Sequence, residues 1–231
     1  MKKNRKMTRK KNEKLKYKCV LYDFDGTLAD SVPLIILNQQ MAYEEVMGHC
    51  PRTEEDLRSY IGLPLVETFA MHDKETADKL LESYLRINIE LLHKDMIPLF
   101  DGVEEELHEL KEMGVLQGIM SAKRRTSLDI TLDLKGYSDF FDLLVTKEDT
   151  KKHKPDPEPY LYCAKKLGIK PSEMIYVGDA KGDILGAQNA GVASVFVEWS
   201  RMPKEEILEL KPTYVIKEMK ELSCIISGSE L

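Results

Sequence analysis

Two kinds of apolar pattern divide this chain of 231 residues. Short apolar runs that end at Asp, Ser or Gly read as buried strands, and apolar positions spaced three and four apart read as helices. Cys19-Val20-Leu21-Tyr22 is the first short run, rich in strand formers and too short for a helix. From Asp30 to about Leu99 only the helical spacing occurs. Asp30-Ser31 suits a helix start, with Pro33 tolerated in the first turn and Leu34, Leu37, Met41 and Val46 following at helical intervals. Thr53 to Leu57 opens a second helix, Ile61-Gly62-Leu63-Pro64 is a break, and Lys74–Leu92 is one long amphipathic helix. Beyond Pro98 the patterns alternate. Helices are predicted over 103–113, 124–134, 158–167 and 183–190, each stopped by Gly at 114, 136, 168 or 191. Strands are predicted over 115–120, 142–145, 174–177 and 193–197, with a last one near Tyr214–Ile216.

Strands alternating with helices imply an α/β domain with a parallel sheet covered on both faces. The boundaries expected are a basic, disordered tail over 1–16, an α/β core over 17–30 and 100–231, and an all-helical insertion over 31–99 after the first strand. Ligands of such sheets bind beyond the carboxyl ends of the strands, where the strand order reverses. Asp23, Asp25, Ser121 and Asp179 all fall at such ends.

Charge sharpens this picture. The net charge is −6, but residues 1–18 hold ten Lys or Arg and one Glu, so the remainder carries −15. An acidic body does not suggest a nucleic-acid binder. The basic start lacks the apolar segment of a secretory signal, and no apolar run reaches membrane-spanning length. The four cysteines are scattered, which fits reduced thiols in a cytoplasmic protein better than zinc or disulfides.

The strand ends carry the candidate chemistry. Side chains alternate along a strand, so Asp23 and Asp25 leave it on one side and Phe24 turns to the core. Paired carboxylates persist when a proton or cation sits between them, and Mg²⁺ is the usual ion for an oxygen-only site. An Asp-Gly turn also accounts for this stretch. Ser121 is either a phosphate contact, together with the Ala122 N–H, or a helix cap. Lys154, held extended before Pro155, is either a solvated charge or the cation that Asp23 needs. Asp179 and Asp183 are either ligands or a turn and cap.

Taken in order, Asp23-Phe24-Asp25-Gly26-Thr27-Leu28, Ser121 after its strand, Lys154-Pro155-Asp156-Pro157 and Gly178-Asp179 with Asp183 resemble the four motifs of the haloacid dehalogenase (HAD) superfamily, over about residues 17–220. The resemblance implies a Rossmann-like parallel-sheet core with a small helical cap of the family's first cap class. It implies Asp23 as nucleophile, forming an aspartyl-phosphate, and Asp25 as the acid that becomes the base. Thr27, Ser121, Ala122 and Lys154 would serve the phosphate. Mg²⁺ would be held by the Asp23 carboxylate, the Asp25 backbone carbonyl and Asp179, with Asp183 holding a metal-bound water or orienting Lys154. The family usually has Asn where this chain has Ala122, which removes a side-chain contact there. Arg58 to Pro64 resembles the cap specificity loop, with Arg58 either facing an anionic substrate group or standing as a surface charge.

Within the family the chain is similar to phosphoglycolate phosphatases and to the pyrophosphatases that serve the HPr phosphorylation system, and the cap stretches 60–65, 71–75 and 88–90 resemble the latter in particular. The expected activity is Mg²⁺-dependent hydrolysis of a small phosphorylated metabolite or pyrophosphate, by a monomer or homodimer with no membrane partner. The superfamily's dehalogenases lack the second acid, so Asp25 argues against them. A β-phosphoglucomutase-like phosphotransferase and a catalytically silent regulatory protein are the alternatives.

Overall fold

The computed structural model describes residues 15–61 and 65–229. The basic tail falls almost wholly outside the described residues, as does the Gly62-Leu63-Pro64 break. In chain order the elements are β1 (Cys19–Tyr22), α1 (Val32–Met47), α2 (Glu54–Ser59), α3 (Leu65–Phe69), α4 (Lys74–Leu92), α5 (Val103–Glu112), β2 (Leu116–Met120), α6 (Arg125–Leu134), β3 (Leu143–Val145), α7 (Glu158–Leu167), β4 (Met174–Gly178), α8 (Lys181–Asn189), β5 (Ala193–Val197), α9 (Lys204–Leu208), β6 (Tyr214–Ile216) and α10 (Glu221–Ser227). A short 3₁₀ turn, Pro171–Glu173, precedes β4.

The strands form one six-stranded sheet in the order β3-β2-β1-β4-β5-β6, and every adjacent pair runs parallel. The α/β expectation therefore holds. Burial of both faces explains the continuous apolar runs. On β1, Val20 and Tyr22 join one core cluster with Leu107, Leu110 and Ile119, while Cys19 and Leu21 join another with Tyr160, Cys163 and Tyr176. This is the twofold alternation of a strand buried on each side. The Tyr22 hydroxyl is satisfied by donating to Gln117 Oε1 at 2.9 Å.

Between β1 and α5 the described chain is helical, as expected. Helix α1 lies along α4, α3 packs on α4, and α4 touches α6 of the core, where Asn88 Nδ2 donates to Ser127 Oγ at 2.9 Å. Helix α2 begins with a capping box between Thr53 and Asp56. The chain leaves and rejoins the core through paired segments: Asp30 N donates to Pro98 O at 2.9 Å and Phe100 N to Leu28 O at 3.0 Å. Helices α3, α9 and α10 were not among the sequence expectations, because each is too short to show a full amphipathic repeat. Among the described residues, no helix is long and apolar enough to cross a membrane.

One buried carboxyl lies away from the strand ends. Glu106 of α5 is 3% exposed, and α10 packs against its helix. Burial pushes its pKa up to about 7, against the opposing hydrogen bonds from Ser223. The folded state thus holds a proton that the unfolded chain releases near the ordinary value of 4.5. Stability from this group is complete below pH 4.5 and is lost as pH rises through 7. Glu106→Gln should flatten that slope and raise stability at pH 8 by on the order of 2–3 kcal/mol. Urea denaturation at pH 5 and pH 8 checks this; an equal slope in the variant rejects it.

Candidate active site

The sheet's two halves meet at β1, which has β2 on one side and β4 on the other. The loops after these strands converge there. Asp23 follows β1 directly, and its N–H continues the parallel ladder by donating to Val177 O at 2.9 Å. Phe24 turns into the core, 1% exposed. One Asp23 oxygen, Oδ1, accepts from Phe24 N at 2.7 Å. The other, Oδ2, accepts from Lys154 Nζ at 2.8 Å.

Lys154 reaches this point from the loop between β3 and α7. It also donates to Asp183 Oδ1 at 2.6 Å and to the Tyr176 hydroxyl at 3.0 Å, and Tyr176 donates to Met120 O at 2.8 Å. Asp183 thus holds the Lys154 ammonium through Oδ1. Its Oδ2 accepts from Asp179 N at 3.1 Å and Ala180 N at 3.0 Å, which fixes the turn out of β4. Ser200 Oγ lies 3.1 Å from Asp179 O and 3.2 Å from Asp179 Oδ2.

Asp23, Asp179 and Asp183 each offer an oxygen within 4.8 Å of the others. Were all three ionised, with Lys154 beside them, the cluster would carry two excess negative charges. Burial, ahead of the neighbouring charges, pushes Asp23 up to about 6 even with Lys154 beside it. Burial and then the charges of Asp183 and Asp23 hold Asp179 well above the carboxylate range. For Lys154, burial acts against the charged form but is outweighed by Asp183 and Asp23, so its ammonium is kept charged. An all-oxygen set whose acids are held protonated for want of positive charge fits a hard divalent cation.

Gly26 makes this crowding possible. Its φ is +79°, and a Cβ there would lie 2.3 Å from Asp179 Oδ2. Gly26→Ala should displace the Asp179 carboxylate and strain the loop. A Mg²⁺ titration of activity should then need at least about tenfold more metal; an unchanged requirement would place Asp179 outside the metal site.

Above the cluster is a cavity of about 460 Å³. Its walls include Asp23, Asp25, Ser121, Ala122, Lys154 and Asp179 from the core, with Gln39, Tyr60, Ile61 and Tyr84 from the helical insertion. Ser121 Oγ accepts from Lys123 N at 3.3 Å. Among the described residues, no hydrogen bond engages the Ala122 N–H, which leaves a backbone donor at the cavity wall.

Two expected residues are not brought into the cavity. Thr27 is fully buried, and its contribution is its carbonyl, which accepts from Trp199 Nε1 at 3.1 Å. It braces the loop but does not line the cavity. Arg58 pairs instead with Glu54 one turn earlier, at 2.7 Å, and Tyr60 and Ile61 are the residues of that stretch on the cavity wall.

Lys123 was missed. It stands two residues after Ser121 and donates to Asp25 Oδ1 at 2.8 Å, with Oδ2 at 3.2 Å. Within the run Lys123-Arg124-Arg125 it reads as a solvated charge; its place just past a strand end was the signal available. Tyr176 was missed because its apolar ring belongs to the core pattern of β4.

The sequence profile of the haloacid dehalogenase-like hydrolases matches residues 20–197, most of the chain. The chain belongs to this family. Asp23, Asp25, Ser121, Lys154 and Asp179 lie within the matched residues and line one cavity. The pyrophosphatase PpaX of Bacillus velezensis is 36% identical over 206 residues, 88% of this chain and 93% of that protein. PpaX of Bacillus mycoides is 33% identical over 216 residues, 92% of this chain and 98% of that protein. Among solved structures, a predicted phosphoglycolate phosphatase of Haemophilus somnus superposes with a TM-score of 0.82 at 23% identity, covering 91% of this chain and 98% of that one. A HAD-superfamily hydrolase of Geobacter sulfurreducens superposes with a TM-score of 0.71 at 26% identity, covering 93% and 98%. The first of these speaks for the fold alone; together with the profile match, the second agrees with a HAD hydrolase.

Proposed function

We propose that this HAD hydrolase is a Mg²⁺-dependent phosphatase that cleaves a small phosphorylated metabolite or pyrophosphate through an aspartyl-phosphate. The observation that carries the reading is the state of Asp23. Lys154 and the Phe24 N–H hold its two oxygens on the cavity floor, with Asp25 beside it on the same wall.

Asp23 attacks phosphorus, the leaving oxygen departs with a proton from Asp25, and Asp25 then takes a proton from the water that opens the acyl-phosphate. Lys154 offsets the repulsion between an anionic nucleophile and an anionic phosphate. Ser121 Oγ and the Ala122 N–H would hold phosphoryl oxygens. A Mg²⁺ ion held by Asp23, Asp179 and the Asp25 carbonyl would supply further charge neutralisation at the phosphoryl group. Lys123 holds the Asp25 carboxyl group in position. The helices of 31–99 act as a cap that excludes water and limits the substrate to what the cavity admits. The names of the PpaX relatives favour pyrophosphate within this class. Four free cysteines, two of them buried, suit a cytoplasmic site of action.

The test is phosphate release with Mg²⁺ from pyrophosphate, 2-phosphoglycolate, β-glucose 1-phosphate and p-nitrophenyl phosphate, side by side. A kcat/KM for one of the first three far above that for p-nitrophenyl phosphate supports the reading and names the substrate. No release from any, with Mg²⁺ present, rejects it.

A further inference from the structure

Among the described residues, four Lys and Arg side chains line the cavity: Lys123, Arg124, Lys147 and Lys154. Two are committed to carboxylates, Lys123 to Asp25 and Lys154 to Asp23 and Asp183. The other two are not. Arg124 follows β2 and Lys147 follows β3, and these neighbouring strand ends are tied by the Ser121 N–H donating to Val145 O at 3.0 Å. The Arg124 Nε is buried without a hydrogen-bond partner; its nearest carboxylate oxygen, Glu148 Oε1, stands 3.6 Å away. That carboxylate is anchored elsewhere, its Oε2 accepting from Thr146 Oγ1 at 2.9 Å and Arg125 N at 3.0 Å. Among the described residues, no hydrogen bond or ion pair engages the Lys147 ammonium. Burial, and then the charge of Arg124, push the Lys147 pKa down, with Glu148 only partly opposing.

Two adjacent, partly buried cations that face a cavity without a full partner repel each other and lose hydration. An anion between them relieves both costs, and the Arg fork suits a phosphate or carboxylate in particular. We propose that Arg124 and Lys147 form a second anion subsite, which takes the charged group of the substrate that is not transferred to Asp23. The inference rests on the phosphatase reading for the identity of the transferred group. It narrows the substrate to a phosphate bearing a second anionic group close to the scissile bond, such as pyrophosphate or a phosphorylated carboxylic acid. A plain phosphate ester with an uncharged leaving group leaves Lys147 unpaired and Arg124 with only its long contact to Glu148.

The test measures binding apart from turnover. Pyrophosphate, 2-phosphoglycolate and p-nitrophenyl phosphate are titrated with Mg²⁺ by calorimetry into Asp23→Asn protein, with and without Arg124→Gln and Lys147→Gln, singly and together. The expected result is a loss of affinity for the doubly charged ligands of about 10- to 100-fold more than for p-nitrophenyl phosphate. The arm with the greater loss, pyrophosphate or 2-phosphoglycolate, identifies the second group as phosphate or carboxylate. Equal losses for all three ligands, no loss, or no binding of either doubly charged ligand to the parent overturns the subsite. Selective binding of those ligands, with no phosphate release by the unmutated enzyme, would instead overturn the phosphatase reading and keep the subsite. Coincident circular-dichroism melts of parent and variants show that folding is not the cause.

Discussion

Asp23→Asn should reduce phosphate release by at least about 10⁴-fold while leaving the protein folded. The amide keeps the shape of the carboxylate, but its single oxygen can accept from Lys154 or from the Phe24 N–H and not from both, and it cannot attack phosphorus. The stability outcome follows from the buried charge. In the metal-free protein Asp23 has its pKa pushed from 3.8 to about 6 by burial, ahead of the lowering effect of Lys154. The folded state therefore favours the protonated acid. That contribution is whole below pH 3.8 and lost as pH rises through 6, so at pH 7.5 the ionised carboxylate weakens the fold. Asparagine removes this cost and also the pairing with Lys154, and the net change should stay within about 2 kcal/mol. Single-turnover phosphate release and chemical denaturation at pH 7.5 in EDTA read the two parts separately. Turnover within tenfold of the unmutated enzyme would move the nucleophile elsewhere.

The second large effect belongs to Lys154. Its side chain is 13% exposed and stands between Asp23 and Asp183. Lys154→Met leaves three neighbouring acids without a cation among them. Breaking a buried pair from one side costs about 3–5 kcal/mol, and here the residual charges also repel. The loss should be greatest at pH 8 and shrink towards pH 5, because protonation relieves acids whose pKa values are already raised. Millimolar Mg²⁺ should restore part of the stability, since a ligand that binds only the folded state adds stability by mass action. Activity should drop about 10²- to 10³-fold even with saturating Mg²⁺, as expected when a preorganised cation is removed. Denaturation midpoints at pH 5 and pH 8, with EDTA or Mg²⁺, decide the matter. An unchanged midpoint at pH 8 in EDTA would mean that the acids are not charged together.

Much of this arrangement was legible in the sequence for a physical reason. A parallel strand is apolar on both faces, so the first polar residue after it marks both its end and the edge where ligands bind. Asp23, Ser121 and Asp179 were found this way, and Lys154 through the prolines around it. What escaped depends on neighbours distant in the chain. Lys123 is distinguished from any other lysine of a basic run only by Asp25, and Lys147 only by Arg124. Tyr176 follows the core alternation of β4, and nothing local reveals that its hydroxyl meets Lys154 and Met120. Arg58, open between a substrate contact and a surface charge, pairs as a surface charge does. Its loop resembled a specificity segment, but a glutamate one helical turn earlier captures the guanidinium. Helices α9 and α10 each span less than two full turns and bury few residues, so period gave little to read.

The position of β1 in the sheet also orders events in time. The strand carrying Asp23 is made early, yet its two partners begin at Leu116 and Met174, and Ser200, which steadies Asp179, comes later still. A growing chain therefore carries its acidic loop with nothing to complete it until β4 has been made. Asp23 meets Lys154, Asp179 and Asp183 only after β4 and the start of α8 have emerged and closed on β1. Until then the cluster does not exist, so its members are brought together in one late step rather than one by one.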